Sequence, residues 1–238
     1  MTMKDMMKKT FHIAAFILTF ACFLFTDKAI AQEYLYEIGG FAGTAAYMGD
    51  ANQTNPIKNP GPAAGVVFRY NTNFRWAIKG NLAFGHVSGD TQTSGNVFPN
   101  NQQVRFSRNF CELGGQVEFN FFNYSDKYAY LGTRRYAPYI FTGLGLTYAM
   151  GNNPNVTMNL PLGIGLKYKI KERLNFGFEF SMRKLFGDSF DVTNKEGLVL
   201  DDPYNIKSSI LKNQDWYTLS MITLTWDFGI RINRSCHK

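Results

Sequence analysis

Polar and apolar residues alternate strictly along residues 174–183 of this chain. One row of side chains is large and apolar: Leu174, Phe176, Phe178, Phe180 and Met182. The other row is small or polar: Asn175, Gly177, Glu179, Ser181 and Arg183. Because successive side chains of a β-strand point to opposite faces, this period of two predicts a strand with one apolar and one polar face. Either the core of a soluble sandwich or lipid could cover the apolar face.

Seven further segments repeat this alternation, so the sequence predicts eight strands. The second clear case is 74–88, where Phe74 and Trp76 alternate with Arg75 and Lys79. Glycine pairs inside the fifth and sixth strands lack the third glycine of a nucleotide-binding loop, so they indicate small residues on a crowded inner face. The predicted strands are 33–48, 63–70, 74–88, 110–121, 136–148, 156–170, 174–183 and 216–228.

The connections between the predicted strands fall into a short set and a long set. The turns at 71–73 and 171–173 are tight, whereas the connections at the other end are longer. The tyrosine-rich connection 122–135 is an exception, because it is long although it falls at the end of the tight turns. Short turns at one end, longer loops at the other and an even strand number are typical of outer-membrane β-barrels. The longer loops include 49–62, 90–108 and 186–215.

The charges on the predicted strands favour lipid over a soluble sandwich. No Lys, Arg, Asp or Glu falls on the predicted outer face, although water-facing strands would carry several. A bilayer requires a closed sheet, and eight strands close around an interior filled by side chains. We therefore predict an all-β, eight-stranded antiparallel transmembrane β-barrel with a salt-bridged interior. The predicted inner row holds five acids and six bases: Glu37, Glu112, Glu118, Glu179, Asp227, Arg69, Arg75, Lys79, Lys167, Lys169 and Arg183.

Aromatic residues make up 16% of the chain, and many gather at the predicted periplasmic ends of the strands. This placement indicates an aromatic girdle at the membrane–water interface, with packing in a soluble core as the alternative. The predicted girdle consists of Tyr34, Tyr36, Tyr70, Phe74, Trp76, Tyr168, Phe176, Trp226 and Phe228.

Residues 1–31 have the organisation of a cleavable secretory signal peptide. Lysines precede an apolar run at 11–25, and Ala29 and Ala31 supply a small-x-small cleavage site. We predict cleavage after Ala31 and export to the outer membrane of a Gram-negative cell. A retained membrane anchor is the alternative, although the apolar run of 15 residues is short for a span.

Removal of the signal peptide leaves a predicted barrel at 32–230 and a short basic periplasmic tail at 231–238. The four lysines and two aspartates removed with it lower the net charge from +7 to +5. The remaining charges are scattered, so nucleic-acid binding is not expected. Cys111 and Cys236 are predicted near opposite membrane faces, which disfavours a disulfide bond, and the sequence lacks the Cys/His cluster of a zinc site.

Five stretches of the chain resemble the PorG-like family of outer-membrane β-barrels, which is similar in architecture to small OmpA-type barrels. The resemblance implies a non-catalytic component of the type IX protein secretion system that links the membrane to a periplasmic ring of PorK/PorN-type proteins. The expected partners are that ring and outer-membrane lipids, with ring contacts chiefly on 122–135, at Tyr124 or Tyr128, and on the tail. The stretches are YEIGGFAGTAAYMGD, FRYNTNFRWAIKGNLAFG, RRYAPYIFTGLGL, LPLGIGLKYKIKERLNFGFEFSMRKLFGDSFD and LTWDFG.

His86 and Ser88 form the sharpest enzymatic signal in the sequence. Lipid-facing barrel esterases use a His-x-Ser pair with an acid that orients the histidine. Glu112 has inward parity and Asp90 is expected in a loop, so the plainer interpretation is a polar pair at the membrane–water boundary. We therefore predict no enzyme, and no catalytic, cofactor-binding or metal-binding residues.

Two alternatives to the secretion role remain open from the sequence. One is a generic outer-membrane anchor or adhesion barrel whose outer loops bind a partner, and the other is a lipid-directed esterase. The aspartates of loop 186–215 could bind a cation or a surface partner, although solvation is the plainer interpretation. His237 lies in the basic tail, where solvation is again the expectation.

Overall fold

The computed structural model describes eight strands and one short 3-10 helix. The helix is Ala129–Leu131. The strands are β1 (Tyr34–Met48), β2 (Pro60–Asn71), β3 (Trp76–Asp90), β4 (Arg105–Asn120), β5 (Tyr136–Ala149), β6 (Asn155–Lys171), β7 (Leu174–Leu185) and β8 (Trp216–Ile230). The described residues are 34–48, 57, 59–90, 105–127, 129–151, 153–186, 190 and 215–230.

The eight strands form a closed, antiparallel up-and-down barrel. Each strand pairs with the next along the chain, and β1 pairs with β8 to close the sheet. Glu37 on β1, for example, lies opposite Arg69 on β2 and opposite Asp227 on β8. Closure removes the unpaired strand edges that a sheet would otherwise present. The predicted all-β, eight-stranded barrel is confirmed.

The alternation of burial along the strands places the charged row inside and the apolar row outside. On β7, Glu179 and Arg183 are fully buried, whereas Phe176 is 40% and Phe178 is 50% exposed. Every strand contributes exposed apolar side chains to the outer surface. A continuous apolar surface of this kind is far larger than the patches of soluble monomers. One example from each strand is Ile38, Val66, Ile78, Leu113, Ile140, Ile164, Phe178 and Ile222.

β2, β3 and β4 extend further towards the long-loop end than the sequence predicted. β2 begins at Pro60, and β4 begins at Arg105, inside the predicted loop. Asp90 is the last residue of β3 and pairs across the sheet with Arg105, so its assignment to a loop was wrong. The pattern is reversed at the ends of β3 and β4, where outer residues such as Ser107 are polar and Phe106 is buried inside, so no apolar outer row marks them. β2 begins with a Pro-Gly-Pro run, which is typical of a loop.

β3 begins later than predicted, and this shift changes two assignments. The Asn73 side-chain oxygen accepts hydrogen bonds from the backbone nitrogens of Arg75 (2.9 Å) and Trp76 (2.7 Å). Such a turn holds the chain out of the sheet until Trp76. Arg75 is therefore exposed in the turn and is not part of the inner row. Phe74 lies in the same turn and is 7% exposed, so it does not belong to an exposed girdle.

Tyr34, at the start of β1, is 6% exposed and is likewise not part of an exposed girdle.

The inner-face glycines of β6 make room for aromatic rings, as the glycine pairs predicted. A Cβ on Gly165 would lie 2.4 Å from Tyr139 Cζ and 2.6 Å from its hydroxyl oxygen. We expect Gly165→Ala to push this ring aside and to lower the free energy of unfolding by about 1–3 kcal/mol, as overpacking does. Denaturant unfolding of the folded barrel in detergent measures the change.

Gly115→Ala is the matched control, because a Cβ on Gly115 would have no heavy atom within 4 Å. We expect this variant to unfold at the wild-type denaturant concentration or slightly above it. Equal loss of stability in both variants would contradict the crowding argument.

Several sequence predictions lie outside the described residues and stay predictions. They are the signal peptide at 1–31, the tail 231–238 with Cys236 and His237, the residue Tyr128 and the aspartates of loop 186–215.

Candidate functional site

Six charged side chains from six strands meet inside the barrel and form one network, the charged cluster. The Glu118 carboxylate lies 2.8 Å from Arg69 Nε and 3.2 Å from Lys79 Nζ. It also lies 2.5 Å from Lys167 Nζ, so one acid contacts three bases. The charged cluster consists of three acids and three bases: Glu37, Glu118, Glu179, Arg69, Lys79 and Lys167.

The other acids of the inner row also have partners. Glu112 lies 2.5 Å from Arg183 Nε and accepts a hydrogen bond from the Tyr217 hydroxyl. Asp227 pairs with Lys169 and accepts a hydrogen bond from Asn175. An unpaired buried charge is costly, so these pairs are what a filled interior requires. The predicted salt-bridged interior is confirmed. Once Arg75 is removed, five acids and five bases of the predicted inner row are buried, and Arg108 on β4 is a further buried base that the prediction missed.

The burial and bonding of the charged cluster indicate that it stabilises the barrel and does not act on a substrate. All six of its side chains are almost inaccessible to solvent, with Glu118 and Glu179 fully buried. The Tyr139 hydroxyl donates to Glu179 at 2.5 Å and adds a further bond to the network. A catalytic carboxylate needs access to substrate, and this interior provides none to Glu179.

Aromatic side chains fill the barrel near the long-loop end, which the alternation alone did not predict. The Phe190 ring stacks at 5.6 Å on Tyr217 and lies 6.2 Å from Phe110. The Tyr47 hydroxyl donates to Asp215 at 2.6 Å, and Asp215 also accepts from the Phe190 backbone nitrogen. Residues flanking β7 and β8 thus pack into this end of the barrel. Loop residues show no periodicity, so no sequence signal placed Phe190 inside.

Tyr124, in the connection between β4 and β5, closes the opposite end of the barrel. It is 2% exposed, and its hydroxyl donates to Asn175 at 2.7 Å. Burial, together with the nearby carboxylates of Glu37 and Asp227, raises the pKa of Tyr124, so the phenol stays neutral at physiological pH. The buried Tyr124 side chain offers no surface to a partner, so this structure does not favour Tyr124 as a contact, and the predicted partner itself stays a prediction.

The same connection presents an exposed surface next to the buried tyrosine. Tyr130 is 82% exposed. The Arg134 guanidinium lies 4.3 Å above the Phe122 ring and donates to the Tyr136 hydroxyl at 3.1 Å. This exposed rim also carries more bases than acids. Its exposed or half-buried charged side chains are Arg75, Asp126, Lys127, Arg134, Arg135, Lys171, Glu172 and Arg173.

The predicted His86–Ser88 pair lies on the outer face of β3, as its parity indicated, and both side chains are half-buried. Glu112 is confirmed as inward. The structure adds two neighbours from β4: Asn109 lies 2.8 Å from His86 Nδ1, and the Ser107 hydroxyl lies 3.2 Å from His86 Nε2. The sequence could not reveal these contacts, because they depend on the register of β3 against β4.

The described residues hold no group of three or more His, Cys, Asp or Glu side chains placed to bind a metal ion. Cys111 is a free cysteine on the outer face of β4. Within the same described ranges, no helix is long and apolar enough to cross a bilayer.

Together these features define a closed eight-stranded β-barrel with a filled, salt-bridged interior and an apolar outer surface. The chain belongs to the family described as Domain of unknown function (DUF6089), which matches residues 14–237. No curated protein matches it.

Three small barrels are among the solved structures to which the chain is similar. Neisserial surface protein A is 12% identical, with a TM-score of 0.47 over 81% of this chain and 97% of that chain. The attachment invasion locus protein Ail of Yersinia pestis is 11% identical, with a TM-score of 0.47 over 83% and 100%. The outer membrane protein OprG of Pseudomonas aeruginosa is 12% identical, with a TM-score of 0.44 over 84% and 99%.

Proposed function

We propose that this protein is an outer-membrane component of a type IX secretion machine, in which it has a non-catalytic role: it links the membrane to a periplasmic ring of PorK/PorN-type proteins. The observation that carries the proposal is the connection between β4 and β5. Its Tyr124 is buried in the end of the barrel, while Tyr130 and a basic rim face outwards.

The outer membrane is the proposed location. The apolar outer surface requires lipid, and the closed sheet satisfies every strand edge as a bilayer demands. The predicted signal peptide at 1–31 supplies the export that such a location needs. Short turns between β2 and β3 and between β6 and β7 lie at the Tyr130 end, and short turns are typical of the periplasmic end of such barrels, which supports a periplasmic position for Tyr130.

Site-specific cross-linking in intact cells tests the proposed partner. A photo-cross-linking amino acid at Tyr130 is expected to capture a periplasmic ring protein, because this side chain is the most exposed aromatic of the described rim. The matched control is the same amino acid at Ile57, which is 57% exposed at the other end of the barrel. Ile57 is expected to give no ring adduct.

The alternative adhesion barrel predicts the reverse result. Adducts from Ile57 to an extracellular partner, with none from Tyr130, would replace the secretion role by a binding role of the outer loops. Mass spectrometry of each adduct identifies the partner and so separates the two functions.

A further inference from the structure

The outer face of the barrel carries one compact polar group within its apolar surface. His86 and Ser88 on β3 pair across the sheet with Asn109 and Ser107 on β4. Among the described strands, such a run of polar side chains on the outward row stands out against the aliphatic and aromatic residues nearer the short-turn end. This polar group lies at the long-loop end, where the apolar surface gives way to water.

Both ring nitrogens of His86 have a partner from β4. Nδ1 lies 2.8 Å from the Asn109 side-chain oxygen, and Nε2 lies 3.2 Å from the Ser107 hydroxyl oxygen. An amide oxygen can only accept, so this contact places the imidazole proton on Nδ1 and leaves Nε2 as the acceptor for the Ser107 hydroxyl. A serine, a histidine and an orienting amide or carboxylate in this order make an activated nucleophile.

The backbone beside His86 is irregular in a way that fits a built site. The register of β2 against β3 shifts between Pro60 and Ala63. A Cβ on Gly61 would lie 2.1 Å from the His86 carbonyl oxygen and 3.0 Å from His86 Cδ2, so β2 approaches His86 closely only because this residue is glycine. Bulges of this kind are enriched beside active sites, where they re-aim a side chain.

A surface cleft of about 340 Å³ is lined in part by Ser107. Arg105 lines the same cleft, and its Nε lies 2.6 Å from the Asp90 carboxylate. Its guanidinium is a positive group in the lining of the same cleft as Ser107, and the proposal assigns to it the stabilisation of the developing oxyanion. The cleft is lined by Asn59, Ser88, Gly89, Asp90, Arg105, Phe106 and Ser107.

We propose that Ser107, His86 and Asn109 form a lipid-facing hydrolase site for the carboxylic ester of a fatty acyl chain in an outer-leaflet lipid. The proposal assigns this edge of the apolar outer surface to the level of the acyl esters, between hydrocarbon and head groups. The proposal assigns the nucleophile to Ser107, in place of Ser88. It stands independently of the secretion role, which needs no chemistry from the barrel.

The reaction is an acyl transfer in two balanced steps. The Ser107 hydroxyl oxygen attacks the ester carbonyl carbon while its proton moves to His86 Nε2. The C–O bond of the ester breaks, and the leaving alcohol takes that proton from Nε2, which leaves the acyl group on Ser107. Water then attacks the acyl carbon and gives its proton to Nε2. The fatty acid departs, and the proton returns to the Ser107 oxygen. Asn109 is a positioning residue that holds the imidazole in the required tautomer.

Covalent labelling of the full-length protein tests the nucleophile. The protein in detergent micelles, treated with a fluorophosphonate probe, is expected to carry the label on Ser107, as located by peptide mass spectrometry. Ser107→Ala and His86→Gln should each abolish labelling, while Ser220→Ala, which removes a half-buried serine on the outer row of β8 outside the cleft lining, should be labelled like the wild type. A label on Ser88, or none on the wild type, would overturn the assignment.

Hydrolysis identifies the lipid source. Phospholipid vesicles and acylated lipid A are offered separately, and the released fatty acid is measured by mass spectrometry. We expect release from one of them and a loss of at least about 100-fold in Ser107→Ala. Ser107→Ala and His86→Gln should both fold, as shown by heat-modifiable migration on a gel, because both side chains lie on the outer face of the barrel. Release from neither substrate, by a protein shown to be folded, would refute the proposal.

The role of Asn109 has its own readout. Asn109→Leu is expected to lose activity, whereas Asn109→Asp should keep it with the acid limb of the pH–rate profile moved to higher pH. A carboxylate in that position stabilises the protonated imidazole, which is inactive as a base. Equal activity in Asn109→Leu and the wild type would remove Asn109 from the site.

Discussion

Phe178→Lys is expected to block assembly of the barrel. Phe178 lies on the outer face of β7, 50% exposed, with Leu166 on one side and Ile222 on the other. A lysine on the lipid face of a membrane barrel costs about 2–4 kcal/mol at the bilayer midplane. We expect most of the variant to stay unfolded in vesicles and to lose the heat-dependent shift in gel migration.

Tyr130→Lys is the matched control for this substitution. It also replaces an exposed aromatic side chain by lysine, but in the connection outside the strands. Its folded fraction should equal that of the wild type. If Phe178→Lys assembled as well as Tyr130→Lys, the outer row of β7 would face water or another protein in place of lipid.

Glu118→Gln is expected to destabilise the barrel by about 3–5 kcal/mol, because removal of one partner leaves buried charge uncompensated. The Glu118 carboxylate contacts Arg69, Lys79 and Lys167. Glutamine keeps the shape of the side chain but gives the charged cluster a net positive charge. The measurement is the free energy of unfolding in denaturant, followed by tryptophan fluorescence.

Two variants calibrate that result. Glu172→Gln removes an acid that is 70% exposed and 3.8 Å from Lys127, so its cost should stay below about 1 kcal/mol. Glu118→Gln with Lys167→Met restores the charge balance and should recover part of the stability. If the double variant had a lower free energy of unfolding than Glu118→Gln alone, Lys167 would stabilise the barrel by other contacts.

The sequence predicted the fold because lipid and the filled interior place opposite demands on the two rows of each strand. β7 illustrates this well, since its apolar row is outside and Glu179 and Arg183 are inside. The pairing of charges could also be anticipated from their near balance. Which acid meets which base could not, because the partners come from strands that are distant along the chain.

The sequence predictions were less accurate where the contrast between an apolar outer row and a polar inner row is reversed or absent. At the ends of β3 and β4 the outer face is polar and the inner face holds Phe106, so Asp90 was assigned to a loop although it pairs with Arg105. In the connection between β4 and β5 no periodicity distinguishes the buried Tyr124 from the exposed Tyr130. The site around His86 needed cross-strand register, because His86 and Asn109 are 23 residues apart.

The burial of Tyr124 also has a mechanical consequence. A force applied at Tyr130 passes along a connection that is bridged from Tyr124 to Arg134 and bonded from Tyr124 to Asn175 on β7. The force is therefore transmitted to the strands of the barrel through these contacts, without first extending a flexible segment. A ring gripping this connection would also set the rotation of the barrel about its own axis, and so the direction in which each strand faces the surrounding machine.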